Sequence, residues 1–241
     1  MNFPTKRRAL ITGASSGIGK ATALAFAQAG IDVALVSRSQ EKLETVADAA
    51  RQAGVKAGVY PLDLAKVELV REGMSAIAAD FGPIDILVNN AGMGYTNTLM
   101  DTPLADWQQV MDLNLTSVFQ SIQGILPMMR QQGAGIIINV ASVAAYRAFP
   151  GWCAYTVSKA GLVALSKTLA EEERSSGIRV TTICPGSVNT PIWDTETVQA
   201  DFERSQMLTP EIVASSILHT ALLPQGAVIE EIMLMPSAGA L

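Results

Sequence analysis

At 241 residues, with 49% hydrophobic and only 16% charged positions, the chain has the size of one large α/β domain and a composition that excludes a disordered polymer. A net charge of −5 and the lack of any basic run interleaved with aromatics exclude a nucleic-acid surface, and apolar tracts such as 21–29 and 135–140 fall far short of the ~20 residues of a membrane span. Two cysteines, Cys153 and Cys184, stand in no CxxC relation, and His219 is the one histidine, so reduced thiols and no metal site are expected.

Lys6, Arg7 and Arg8 lead straight into a first strand at 8–11, leaving no apolar region for a signal peptide, and a cytoplasmic location is expected. The strand runs into Thr12-Gly13-Ala14-Ser15-Ser16-Gly17-Ile18-Gly19, which opens a helix over 18–29. Glycines at such a turn permit positive φ and close backbone approach, while the helix start offers unpaired N–H groups to a pyrophosphate; strand, turn and helix together predict dinucleotide binding. The second strand, 32–37, decides which dinucleotide. A carboxylate at its end would accept hydrogen bonds from the adenosine ribose, but Ser37 and Arg38 stand there, and Asp32 lies at the opposite end of the strand. Arg38 has donors for a 2′-phosphate, which favours NADP(H) over the alternative of a merely solvated arginine.

Helices at 41–52 and 66–81 alternate with strands at 56–61 and 84–89, and each of the first three helices stops at a glycine within one or two residues, as C-caps do. Further strands are expected at 135–140, 178–183 and 228–233. The seven-strand rhythm predicts an α/β fold, a doubly wound Rossmann-type parallel sheet with helices on both faces, as a single domain over 1–241. The stretch 185–210 has no clear period, and 187–208 is the candidate substrate loop.

Tyr155 and Lys159 lie four apart in a helical pattern and so share a face. An ammonium close to a phenol favours the phenolate and makes proton transfer feasible. Ser142 follows the 135–140 strand at its carboxyl end, where its hydroxyl could polarise a substrate oxygen. The methionines are read mainly as packing, and Trp107 as the anchor of the helix after Pro103. Trp193 and Met207 fall in the loop and are candidates for substrate contact; Cys153 is either pocket lining or packing, and His219 is structural. The small-residue stripe Gly161, Ala164 and Thr168 fits either a neighbouring subunit or packing within the chain.

Over essentially its whole length the chain resembles the short-chain dehydrogenase/reductase family. The resemblance is carried by the glycine segment 12–19, Asn89-Asn90-Ala91-Gly92, Asn114, Ser142, Tyr155 with Lys159, and Pro185-Gly186 followed by Thr190, in the family's order. It implies that Tyr155 is the general acid or base, that Ser142 holds the substrate oxygen, and that Lys159 binds nicotinamide ribose and lowers the tyrosine's pKa. It further implies that Asn114 supports a proton-relay water, that Asp63 contacts adenine, that Asn90, Ala91 and Gly92 lie against the cofactor, and that Val188 and Thr190 border the carboxamide. The expected activity is hydride transfer between NADP(H) and a small or medium carbonyl or alcohol, by a homo-oligomer such as a tetramer. A 3-oxoacyl-acyl-carrier-protein reductase is the alternative, and a non-catalytic dinucleotide sensor or scaffold is the second. Against an acidic carrier protein as partner stand Glu171-Glu172-Glu173, read either as a repelling surface or a solvated helix edge, and a C-terminal stretch 236–241 without paired glycines; Arg130 stands in its favour.

Overall fold

The computed structural model describes residues 6–200 and 203–239; positions 201–202 of the expected substrate loop and 240–241 of the C-terminal stretch lie outside them. Seven parallel strands are hydrogen-bonded in the order β3-β2-β1-β4-β5-β6-β7: β1 Arg8–Thr12, β2 Asp32–Ser37, β3 Ala57–Pro61, β4 Ile86–Asn89, β5 Gly135–Val140, β6 Ile178–Pro185 and β7 Glu231–Leu234. The helices are α1 Gly17–Gln28, α2 Gln40–Gln52, α3 Val67–Phe81, α4 Leu104–Met111, α5 Ser117–Gln132, α6 Cys153–Glu173 and α7 Pro210–Leu222. The expected architecture is thus the observed one, a Rossmann-like sheet flanked by helices.

Alternation along β1 shows how the sequence makes two cores. Ala9 and Ile11 join one cluster with Phe26 of α1, Leu43 of α2 and Ile217 of α7. Leu10 points the other way, to Met74 of α3, Ile125 of α5 and Leu162 of α6. A strand covered on both faces has no polar side to alternate, hence the apolar runs. Two glycines set close approaches: a Cβ on Gly124 would lie 2.7 Å from the Arg71 carbonyl, bringing α5 onto α3, and one on Gly161 would lie 2.8 Å from Leu115. Gly161 therefore serves packing within the chain.

The glycine stops after α1, α2 and α3 hold positive φ at Gly30, Gly54 and Gly82, as their C-terminal placement predicts. The last strand begins at Glu231, later than the expected 228, because pairing with β6 starts at Thr182 opposite Glu231. The acidic run at the end of α6 is not one surface. Glu171 meets Arg174 at 2.6 Å in solvent, whereas Glu173 is fully buried and takes the Arg130 guanidinium, with Nε to Oε2 at 2.8 Å. That hydrogen bond holds the Glu173 carboxyl below its ordinary pKa.

Candidate active site

The sheet order reverses between β1 and β4, and the loops leaving the carboxyl ends of neighbouring strands diverge there, which is where open α/β sheets bind ligands. A cleft of about 530 Å³ occupies this position. At its floor Thr12 ties the two strands: its hydroxyl accepts the N–H groups of Asn90 and Ala91 at 3.0 and 3.1 Å, and the Asn90 side chain donates to the Thr12 carbonyl at 3.0 Å. The turn that follows has no room for side chains. Gly13 and Gly17 hold positive φ, and a Cβ on Gly19 would fall 2.2 Å from the Gly13 carbonyl oxygen. Ser16, at the cap of α1, makes no side-chain capping bond, so the helix's first N–H groups are left to an anion.

Beyond the turn lie Ser37, Arg38 and Lys42, with Asp63 across from them. The Ser37 hydroxyl is buried with no hydrogen-bond partner among the described residues, a donor and acceptor available to a polar ligand. Asp32 is spent elsewhere, pairing with Lys6 at 3.1 Å and accepting the Lys56 N–H at 2.7 Å. A glycine cradle, a free helix start and an orphaned hydroxyl fit a dinucleotide laid along the strand ends.

At the other side of the floor Ser142, Tyr155 and Lys159 converge. Ser142 hydrogen-bonds the Tyr155 phenol and accepts the Ala144 N–H at 3.1 Å. Lys159, in the second turn of α6, donates to the Val140 carbonyl at 3.0 Å and lies 5.7 Å from the Tyr155 ring centre. Burial lowers the Lys159 pKa to about 8. Burial also raises the pKa of Tyr155, with the Ser142 hydrogen bond opposing it. In the chain by itself the Tyr155 shift is thus set by burial, the Ser142 hydrogen bond and Cys184, and Lys159 is not among its causes.

Every expected site residue lines this cleft except Gly19 and Asn114. Gly19 lies behind the turn as packing space. Asn114 is fully buried in a π-helical stretch, Asp112–Thr116, between α4 and α5. Its amide accepts the Met93 N–H at 2.8 Å and donates to the Met93 carbonyl and the Ser158 hydroxyl at 3.0 and 3.1 Å. It fixes the loop after β4 against α6, and such π stretches gather at functional sites.

A family model described as short chain dehydrogenase matches residues 7–201. The chain is a short-chain dehydrogenase. Among curated members of that family it is 37% identical over 216 residues to the D-beta-hydroxybutyrate dehydrogenase of Rhizobium meliloti, covering 88% of this chain and 82% of that one. It is likewise 37% identical over 218 residues to the 3-oxoacyl-acyl-carrier-protein reductase of Thermotoga maritima, covering 88% and 89%. Among solved structures, the alcohol dehydrogenase of the archaeon Thermococcus sibiricus, complexed with 5-hydroxy-NADP, superposes with a TM-score of 0.89 at 28% identity, covering 98% of this chain and 99% of that one. The fold, the oxidoreductase class and the dinucleotide-binding cleft of the short-chain dehydrogenases are thereby this chain's.

Within this dehydrogenase the cleft also includes groups that sequence reasoning missed. Lys42 and Ser39 join Arg38 at one end, and Met93, Leu113 and Ile192 join Trp193 at the other. Lys42 stood four residues after Arg38, a spacing that puts two cations on one side of a helix start. Met207 is buried away from the cleft lining, and Cys153 borders a separate hollow of about 250 Å³ with Trp107 and Leu104. The expected substrate loop is tied at Thr197 and Gln199 to the stretch after β4. Thr197 Oγ1 donates to the Gly94 carbonyl at 2.8 Å, and the Gln199 N–H donates to Thr96 Oγ1 at 2.7 Å. The Thr96 N–H donates to the Thr197 carbonyl at 2.9 Å.

Proposed function

We propose that the chain transfers hydride between NADP(H) and a small or medium carbonyl or alcohol, with Tyr155 as the proton-transferring group. The observation that carries this reading is the convergence of Ser142, Tyr155 and Lys159 on the floor of the cleft, beside the glycine cradle. Nicotinamide, when bound, supplies hydride at its C4 to a carbonyl carbon or removes it from an alcohol. Tyr155 gives its proton to the carbonyl oxygen as charge develops there, and Ser142 steadies that oxygen with a hydrogen bond. Lys159, held to the Val140 carbonyl, presents its remaining donors to the ribose. Because burial raises the Tyr155 pKa, the phenol stays protonated at neutral pH, which suits the acid of the reductive direction.

Preference for NADP(H) is supported by Arg38 and Lys42 at the far end of the cleft, where no carboxylate stands to repel a 2′-phosphate. A carrier-bound 3-oxoacyl substrate is the second reading, favoured by the identity to the Thermotoga maritima reductase. The pairing of Arg130 with Glu173 takes away the basic residue on which carrier docking was to rest. NADPH and NADH oxidation with a panel of neutral ketones, a free 3-ketoester and the corresponding carrier-bound 3-oxoacyl group tests both. Ketone-dependent oxidation of NADPH is expected; cofactor binding with no turnover of any substrate overturns the reading in favour of a sensor.

A further inference from the structure

The substrate end of the cleft carries an aromatic stack that neither its catalytic groups nor its dinucleotide cradle requires. Trp152 immediately precedes α6 and meets the Tyr155 ring edge-to-face, with centres 5.3 Å apart and planes at 70°. Its other side meets Trp193 of the strapped loop in the same manner, at 5.9 Å and 68°. Trp193 is held in place through its indole N–H, which donates to the Val188 carbonyl at 2.7 Å. Its loop is drawn over the chain at Gly94 and Thr96 by the Thr197 and Gln199 hydrogen bonds. A side chain so anchored is a wall of fixed position.

Met93, Leu113 and Ile192 also face the cleft there, and the polar side chains beside Trp193, Thr190 and Thr195, are neutral. Among the described residues lining the cleft, Arg38 and Lys42 follow the end of β2, at the dinucleotide's far end, and Lys159 is committed to the Val140 carbonyl. A carboxylate carried into this end would lose its water beside Trp193, Met93, Leu113 and Ile192, and the one cation there among the described lining residues, the Lys159 ammonium, is turned to the Val140 carbonyl, so the carboxylate is disfavoured by about a hundredfold. A flat neutral ring gains edge-to-face contacts, each worth about three- to tenfold in affinity.

We propose that Trp193, buttressed by Trp152, makes this oxidoreductase selective for neutral carbonyls bearing an aromatic ring next to the reacting group, and against 3-oxo acids carrying a free carboxylate. The inference rests on the reading of Tyr155 as the proton donor to a carbonyl, but it predicts binding as well as turnover. Trp152 touches Tyr155, so its removal would disturb proton transfer too; Trp193 is the diagnostic position.

Calorimetric titration of the protein saturated with 1,4,5,6-tetrahydro-NADP, a reduced analogue whose nicotinamide ring is uncharged and cannot donate hydride, compares acetophenone, 2-octanone and acetoacetate. Acetophenone is expected to bind about tenfold more tightly than 2-octanone, and acetoacetate about a hundredfold more weakly than acetophenone. Trp193→Ala should remove the aromatic preference, while Trp193→Phe should keep most of it. Reduction of the three ketones with NADPH is measured alongside. Absence of turnover with the binding order intact would sink the catalytic reading and leave the pocket assignment standing. Acetoacetate binding as tightly as acetophenone, or an unchanged order in Trp193→Ala, overturns the inference.

Discussion

At the dinucleotide end the cleft wall is backbone, fixed by strand ends and by glycines that have no space to become anything else, whereas at the substrate end it is side chain, carried on a loop and set by contacts between distant parts of the chain. The first end is specified by local sequence: Gly13 and Gly19 are required by approaches of 2.8 Å to Asn90 Nδ2 and 2.2 Å to the Gly13 oxygen. The second is specified by tertiary structure, through Trp152 against Trp193 and Thr197 against Gly94. A rigid scaffold that positions variable loops is the usual way in which one fold hosts many substrates. Tyr155 stands at the seam between them.

The largest effect should follow from a change at the seam. Replacing Tyr155 with phenylalanine removes the proton while leaving the ring's contact with Trp152, so turnover is expected to fall by roughly 10²–10⁴ with dinucleotide affinity nearly intact. Steady-state kinetics and a dinucleotide titration on the variant check this. Near-normal turnover would mean that the two halves do not meet at this phenol.

A change confined to the dinucleotide end should leave the other end alone. Arg38→Ala removes a cation from the 2′-phosphate position, and NADPH is expected to lose about ten- to hundredfold in affinity relative to NADH, the scale of a charge-assisted hydrogen bond. Binding titrations with both reduced dinucleotides test it, and the order of preference among carbonyl substrates should not move. A changed carbonyl preference would break the separation of the two halves.

The same contrast explains what was legible in the sequence. The strands, the glycine stops and the cradle follow from local composition and steric rules, and they appear where the chain predicts them. Glu173 was hidden because three consecutive glutamates look alike; only the rotation of α6 selects the one that turns inward to Arg130. Asn114 was expected at the site as the support of a relay water, but the π turn that buries it between Met93 and Ser158 has no compositional mark. The Trp152–Trp193 contact was out of reach for the same reason: one residue ends a loop before α6, the other sits in a segment without period. The burial of Tyr155 was not legible either, because spacing along a helix reports proximity and says nothing of desolvation.

A third prediction concerns the charge at the seam. Lys159 has its pKa lowered to about 8 by burial, so the ammonium is present at neutral pH and lost above that value. The sign for activity is then a falling limb: kcat/KM for NADPH should drop about tenfold per pH unit above roughly 8, because that constant reports the enzyme before the dinucleotide binds and the neutral amine holds ribose poorly. The sign for stability is opposite. A lysine whose folded pKa lies below its unfolded value binds fewer protons when folded, so its contribution improves as pH rises from about 8 toward the ordinary lysine range. A pH–rate profile against a pH–denaturation series separates the two. Rate and stability falling together above pH 8 would point to unfolding rather than to Lys159.

The smallest effect is the sharpest test of independence between the halves. Thr197 lies in the strap, and its hydroxyl donates to the Gly94 carbonyl at 2.8 Å while two further bonds, from the Thr96 N–H to the Thr197 carbonyl and from the Gln199 N–H to Thr96 Oγ1, do not use that hydroxyl. Thr197→Val keeps the branched shape and removes the hydroxyl's bonds to the Gly94 carbonyl and to Thr195 Oγ1, the latter at 3.2 Å, while the strap's other bonds remain, a net loss of about 1 kcal/mol. That shifts the balance between the strapped and released loop by about fivefold, and since the released loop withdraws Trp193 from the pocket, the carbonyl KM should rise by up to that factor with kcat unchanged. Dinucleotide affinity should fall less than the ketone's, because most of its cradle rests on β1, β4 and α1 and only Val188 and Thr190 border it from the strapped segment. Michaelis constants for a responsive ketone and dissociation constants for NADPH, measured on the same preparations, decide it. If NADPH affinity falls as far as the ketone's, the strap holds the dinucleotide too, and the cleft has to be treated as one cooperative site instead of a fixed cradle facing an adjustable wall.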